Sequence, residues 1–215
     1  MSPPPAPPAA PDHSVRVAWA DDATAIAAAQ ALSWRERYPA VAGHPDPEPI
    51  AAAWAEALAR PGDARNRVLV ALDRQRVVGF AISAPAPDPD CDPVADAELS
   101  ELTVLAADRG RGHGSRLLHA VADTMRADRF RRAVIWVDVG DDLVRRFLAD
   151  AGWAPDGAHR ELAAADPAAA DDSGRVRQVR LHTSLAGGPD SGSPDAGGPV
   201  SGGPVSGAPL DRLVD

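Results

Sequence analysis

"DRGRGHGSRLL", residues 108–118, is the stretch whose reading decides the fold of this chain. Gly110, Gly112 and Gly114 alternate with Arg109, Arg111 and His113, and an apolar helical stripe begins directly after them. Glycine loses more backbone freedom on folding than any other residue, so this spacing is costly in a packed element. A glycine-rich turn feeding a helix has one clear use. It exposes backbone N–H groups at the positive end of the helix dipole, and that is an anion site. Residues 109–146 also carry nine arginines against five acids, inside a chain of net charge −9. A local basic strip on an acidic protein suits a small anionic ligand better than a polymer, because nucleic-acid binding rests on neutralising many phosphates. No nucleic-acid partner is expected.

Outward from that stretch the hydrophobic period alternates between two and 3.6. Leu117, Leu118, Val121 and Met125 form one helical stripe. The residues before the turn, "AELSELTVL" (97–105), read as a strand, and "AVIWVDV" (133–139) as a central, nearly continuous apolar strand. "DDLVRRFLADAG" (141–152) is a short amphipathic helix with capping acids at its start and Gly152 at its end. Upstream, "SVRVAWA" (14–20) is a strand and Asp21 and Asp22 begin a helix over 23–38. A second helix covers 49–60, and strands cover 66–73 and 76–83 with a hairpin turn between them. "APAPDPDCDPVAD" (84–96) is a loop, and strands at 159–164 and 175–185 close the pattern. The order β α α β β β α β α β β is that of a mixed α/β domain.

The chain has 215 residues, with prolines and glycines concentrated at its ends. Residues 1–14 are expected as a disordered Pro/Ala-rich lead, 15–186 as one folded domain, and 187–215, with "GGPVS" twice in tandem, as a disordered tail. A single cysteine, Cys91, excludes an intrachain disulfide. No signal-peptide pattern and no membrane-length apolar run is present, so the expectation is a cytoplasmic protein without a membrane partner.

Several nucleotide and metal readings fail on the residues. A P-loop needs a lysine, and all 22 basic residues are arginine. A dinucleotide fingerprint needs a third glycine where Leu117 stands, although Asp138 would mimic its ribose-binding acid. "DPDCDP" (88–93) alternates acids like a calcium loop but lacks the loop's glycine and terminal glutamate. No Cys/His cluster suggests zinc, and no metal is expected.

"LTVLAADRGRGHGSRLL" instead resembles the acetyl-CoA motif of the GNAT superfamily of N-acetyltransferases, R/Q-x-x-G-x-G/A, with Arg109, Gly112 and Gly114 on its fixed positions. The short helix and "GW" after the next strand resemble the family's F-Y-x-x-x-G-F ending through Phe147, Gly152 and Trp153, and "ALSWRERYP" resembles its first-helix region. The resemblance covers about residues 15–186. It implies a GNAT-like fold, a mixed and mostly antiparallel sheet with flanking helices and a splayed central strand pair. It implies acetyl-CoA as co-substrate and direct acetyl transfer to a primary amine of a small molecule or peptide. The pyrophosphate would meet the backbone of Arg109, Gly110, Arg111, Gly112, His113, Gly114 and Ser115, and the pantetheine arm would lie along Leu102, Thr103 and Val104. The acceptor would enter near the first two helices.

Such a transfer needs a base for the ammonium, donors for the oxyanion and an acid for the thiolate. Glu98 and Glu101 lie on the strand feeding the turn, three apart, so in a regular strand only one faces the pocket; a bulge would change that parity. In several members of the family the base stands eleven residues before the motif's R/Q, which is Glu98 here, and Glu101 is the second candidate. The family's usual acid, a tyrosine after the Phe of the last helix, is replaced by Leu148. The chain's single tyrosine, Tyr38, is the remaining tyrosine candidate. Leu148 also motivates an alternative, a non-catalytic acyl-CoA-binding module of the same fold. An acidic chain favours cationic amines by long-range steering. A homodimer is the assembly expected from frequency alone.

Overall fold

A computed structural model describes residues 12–37, 46–163 and 175–186. The expected tail, residues 1–11 of the expected lead, and Tyr38 lie outside the described residues. Seven strands form one sheet: β1 (His13–Val17), β2 (Arg67–Asp73), β3 (Arg76–Pro85), β4 (Asp96–Val104), β5 (Arg132–Asp138), β6 (Ala154–Ala163) and β7 (Arg175–Ser184). Four helices flank it: α1 (Ala23–Arg37), α2 (Pro47–Ala59), α3 (His113–Ala127) and α4 (Asp142–Asp150). The strand order is β1-β2-β3-β4-β5-β7-β6, antiparallel except for the β4–β5 pair.

The helix starts follow their local chemistry. Asp22 accepts the Trp19 N–H at 2.7 Å, and Arg16 grips its two oxygens at 2.6 and 2.9 Å just before α1. Asp46 caps α2 by accepting the Glu48 N–H, with Pro47 in the first turn, where its missing donor costs nothing. Asp141 caps α4 through the Val144 N–H at 3.1 Å.

The sheet separates two cores. On one face, Leu117, Leu118, Val121 and Met125 of α3 and Leu148 of α4 pack on Leu69, Val78, Ala81, Leu99, Ile135 and Val137. On the other, Ile26 of α1 and Ile50 and Trp54 of α2 pack on Val70, Leu72 and Phe80. Trp54 is a core residue: it is buried, lies edge-on to Phe80, and donates to Gln30 Oε1 at 2.8 Å.

Several elements differ from the expected boundaries, β3 among them, which runs on to Pro85, two residues past its expected end. β1 starts at His13 and ends at Val17, because the chain turns at Trp19 into the Asp22 cap. α2 starts two residues early, at Pro47. β6 starts at Ala154, five residues early, across "PDG" (155–157), where a register irregularity absorbs the turn-forming residues. "AVIWVDV" is interior, between β4 and β7, as its apolar run requires.

Candidate active site

The glycine stretch connects β4 to α3 through a short 3-10 turn at Ala106–Asp108. Gly110 and Gly112 hold φ of +73° and +80°, a left-handed conformation that costs other residues roughly 1–2 kcal/mol. Gly112 is the N-cap of α3 and offers no side chain, so the first N–H groups of the helix have no side-chain cap. Gly114 is different. Its φ is not left-handed, and an added Cβ would meet only Phe147 at 3.5 Å and Val104 at 3.8 Å, ordinary van der Waals contacts. The protein itself has room for an alanine there, although glycine in a helix costs about 1 kcal/mol relative to alanine. The bare backbone there leaves room for close approach by a ligand. Uncapped N–H groups, two left-handed glycines and a cleared helical position fit a pyrophosphate.

The side chains around this loop do other work. Asp108, 2% exposed, is held by Arg76 at 2.7 and 2.9 Å and by Arg111 at 2.9 Å. The Arg76 guanidinium keeps its carboxyl below the usual aspartate range. Arg111 also pairs with Asp73 at 3.1 Å. Arg109 reaches away from the loop, donating through Nε to the Val104 carbonyl and pairing with Glu36 of α1. Ser115 is exposed on the first turn. The His113 side chain turns inward, buried, edge-on to His13 with ring centroids 4.9 Å apart. Burial lowers its basicity.

β4 and β5 pair at only three positions, Asp96 with Arg132, Ala97 with Ala133 and Glu98 with Val134. Beyond Glu98 they part. Among the described residues, the β5-facing edge of β4 therefore has no strand partner from Leu99 to Val104, which includes Leu102, Thr103 and Val104, and an extended arm would add there as a strand does. Glu98 sits at the fork.

The side-chain parity of β4 is not that of a regular strand. Leu99 pairs with Ser83 and Glu101 with Ile82, so Ser100 is an extra, bulged residue. Across the bulge, Glu98, Glu101 and Thr103 align with Ala84, Ile82 and Phe80, all on the α1/α2 face. Leu99, Leu102 and Val104 take the α3 face. The bulge changes the parity of a regular strand and puts both glutamates on one face, and the local bonds separate the two. Glu101 accepts from Thr103 Oγ1 and lies 3.9 Å from Arg37. Glu98, 6% exposed, makes no side-chain hydrogen bond among the described residues. Burial, then the nearby Asp88 charge, raises its pKa.

Two further features shape the site, Gly79 and "DPDCDP". Gly79, a lone glycine within a strand pattern, is a signal for close backbone approach. A Cβ there would stand 2.5 Å from the Thr103 carbonyl oxygen, so Gly79 lets β3 and β4 close beside the bulge. "DPDCDP" is the second. Its acids engage Arg180 of β7: Asp88 at 3.3 Å, Asp90 at 2.5 and 2.8 Å, with Asp156 of β6 at 2.7 Å. Asp88 also accepts from Trp136 Nε1 at 2.9 Å. The loop is thereby pinned across β5 and β7 beside Glu98. Cys91, buried under it, has its thiol pushed up to about 11 by desolvation and is no nucleophile. Leu148, at the position of the family's tyrosine, is fully buried in the α3-side core and offers no proton.

The model of the acetyltransferase (GNAT) family matches residues 19–153. Solved structures agree in fold. An N-acetyltransferase from Staphylococcus aureus Mu50 aligns with TM-score 0.63 at 20% identity, over 81% of this chain and 99% of its own. YncA from Salmonella typhimurium, solved with its cofactor acetyl-CoA, aligns with TM-score 0.62 at 17% identity, over 86% and 99%. A ribosomal-protein-alanine N-acetyltransferase from Brucella melitensis aligns with TM-score 0.61 at 22% identity, over 80% and 99%. No curated protein matches the chain by sequence. With its family motif at the β4–α3 turn, its forked β4–β5 pair and a family match across most of its length, the chain belongs to the GNAT family of acetyl-CoA-dependent N-acetyltransferases.

Proposed function

We propose that this enzyme transfers the acetyl group of acetyl-CoA directly to a primary amine, with Glu98 as the general base. The observation that carries the base assignment is a buried carboxylate without a hydrogen bond, placed where β4 and β5 part. The backbone of residues 109–115 would hold the pyrophosphate, and the β4 edge from Leu102 to Val104 the pantetheine arm. Glu98 takes a proton from the ammonium of the acceptor. The amine nitrogen then bonds to the thioester carbonyl carbon, and a backbone N–H near Val104 stabilises the oxyanion. The C–S bond breaks, and the departing thiolate takes the second proton of the nitrogen by way of water, because Leu148 supplies none. Glu101, tied to Thr103 and Arg37, organises the α1 side of the pocket.

The test is thiol release from acetyl-CoA with a panel of primary amines, for wild type and Glu98→Gln. Glu98→Gln is expected to lower kcat by about 10²–10⁴-fold while the calorimetric affinity for acetyl-CoA stays unchanged. Equal turnover in the two proteins would refute the assignment of the base. Acetyl-CoA binding without thiol release for any amine would support the non-catalytic module that Leu148 motivates.

A further inference from the structure

The first residue of α3 carries a buried polar side chain that takes no part in the proposed transfer. His113 is 1% exposed, and neither of its ring nitrogens has a hydrogen-bond partner among the described residues. His13 of β1 stands edge-on to it, with ring centroids 4.9 Å apart, and the His13 Nδ1 is without a hydrogen bond as well. Buried polar atoms are nearly always hydrogen-bonded, so three orphaned nitrogens at one contact call for a reason. An apolar side chain of similar size would fill the space without that cost.

The surroundings accept this ring only while it is neutral. From its own loop and helix, Arg111 and Arg116 bear on it, and the start of α3 adds the positive end of the helix dipole. From β1 comes His13, a second imidazole. Asp108, in the turn before the loop, has both oxygens held by Arg76 of β3 and one of them also by Arg111. Asp73 of β2 lies 3.6 Å from the His13 Nδ1 and pairs with Arg111 at 3.1 Å. A protonated His113 thus meets cations and carboxylates that are already engaged. Burial first, and then these positive neighbours, hold its pKa below the ordinary histidine value. A cleft of about 560 Å³, lined by His13, Asp73, Arg76 and Arg111 among others, brings solvent up to the ring that touches His113.

We infer that His113, seated against His13, is an acid-released latch on the glycine loop and the first turn of α3. Neutral, the ring stays in the core and ties that turn to β1. Protonated, it leaves the core for water, and the turn opens with it. The first helical bond of α3 runs from the Arg116 N–H to the Gly112 carbonyl at 3.1 Å, so opening at His113 breaks the helix where its free N–H groups converge. The latch thereby couples acidity to cofactor occupancy; this coupling, unlike the opening itself, rests on the placement of the pyrophosphate on residues 109–115. An open turn takes up its proton near the ordinary histidine value of about 6.5, and the closed turn only below it. Closure is therefore fully favoured above about pH 6.5, and the open population grows up to about tenfold per pH unit as pH falls toward the lowered value. A bound cofactor favours the closed turn and, by reciprocity, opposes proton uptake.

The experiment is amide hydrogen exchange on the full-length protein across roughly pH 5 to 7.5, read as protection factors so that the intrinsic pH dependence of exchange drops out. In the free protein, protection at Arg116, Leu117 and Leu118 is expected to fall about five- to tenfold per pH unit below about pH 6.5, while the amides of β5 keep theirs. In His113→Phe the fall should be absent, with His113→Leu as the second variant if the larger ring does not fit. Constant protection at the three amides in the wild type, the same fall in both variants, or an equal fall in β5 would each overturn the latch. Saturating acetyl-CoA should restore their protection in the wild type at about pH 5.5. A fall that the His113 variants abolish and acetyl-CoA leaves untouched would keep the latch and overturn the placement of the cofactor on residues 109–115.

Discussion

Burial without a hydrogen bond lifts the Glu98 carboxyl above the ordinary glutamate value of about 4.3, and the sign of the effect on rate follows from its proposed role as base. A protonated Glu98 accepts nothing, so kcat falls as pH drops through the raised pKa. The acidic limb of the kcat profile is expected above the ordinary glutamate range, and it should vanish in Glu98→Gln. A variant that keeps the limb would assign it to another group. Gly114 carries a second residue-scale prediction. Because the chain leaves room for a Cβ there, Gly114→Ala should fold with a melting temperature equal to or above that of wild type. Its affinity for acetyl-CoA should nevertheless fall at least tenfold, which calorimetry reads directly. Unchanged affinity would show that the position was not cleared for the ligand.

At the scale of the element, β4 is shaped by its partner. The Ser100 bulge turns Glu98 and Glu101 to one face, and Gly79 of β3 lets the two backbones close at Thr103. A methyl group at Gly79 meets a carbonyl oxygen, not a flexible side-chain end, so the strand itself must shift. Gly79→Ala is expected to cost about 1–3 kcal/mol, as overpacking does, and to lower kcat because Thr103 and Glu101 move with the strand. Denaturant midpoints with parallel kinetics check both. Wild-type stability together with wild-type kcat would mean that β3 and β4 separate freely. Within α3, by contrast, the elements follow local pattern: Leu117, Leu118, Val121 and Met125 are the buried stripe that the sequence period announces.

At the scale of the molecule, arginine–carboxylate pairs tie distant parts of the chain together. Asp22 with Arg16 anchors the start of α1, and Asp108 with Arg76 and Arg111 joins the glycine loop to β3. Both carboxyls are held below their usual range by the side-chain bonds from Arg16 and Arg76. A carboxyl with a depressed folded pKa contributes stability above its unfolded value, about 3.9 for aspartate, and loses it as pH falls through the folded value. The melting temperature should therefore drop steeply below about pH 4. Asp108→Asn should be less stable than wild type at pH 7 and show a shallower loss on acidification. Parallel pH curves for the two proteins would remove Asp108 from this account.

The sequence by itself determined the alternation of strands and helices, the buried stripe of α3, the acids at the starts of α1 and α4, and the glycine turn before α3. Each of these depends on residues within a few positions of one another, where period, propensity and turn chemistry are local. The positions of Glu98 and Glu101 were legible as candidates but not as a pair on one face. That depends on a bulge, and a bulge is a property of two strands. Only the tertiary structure decided how the face around Glu98 is furnished. Arg180 meets Asp88 and Asp90 across separations of 92 and 90 residues, and Arg160 reaches Trp136 from the opposite edge of the sheet. Such contacts exist because a parallel β4–β5 pair and a β5–β7–β6 order bring remote segments side by side. Charge pairing between them follows from strand register, which no single segment encodes.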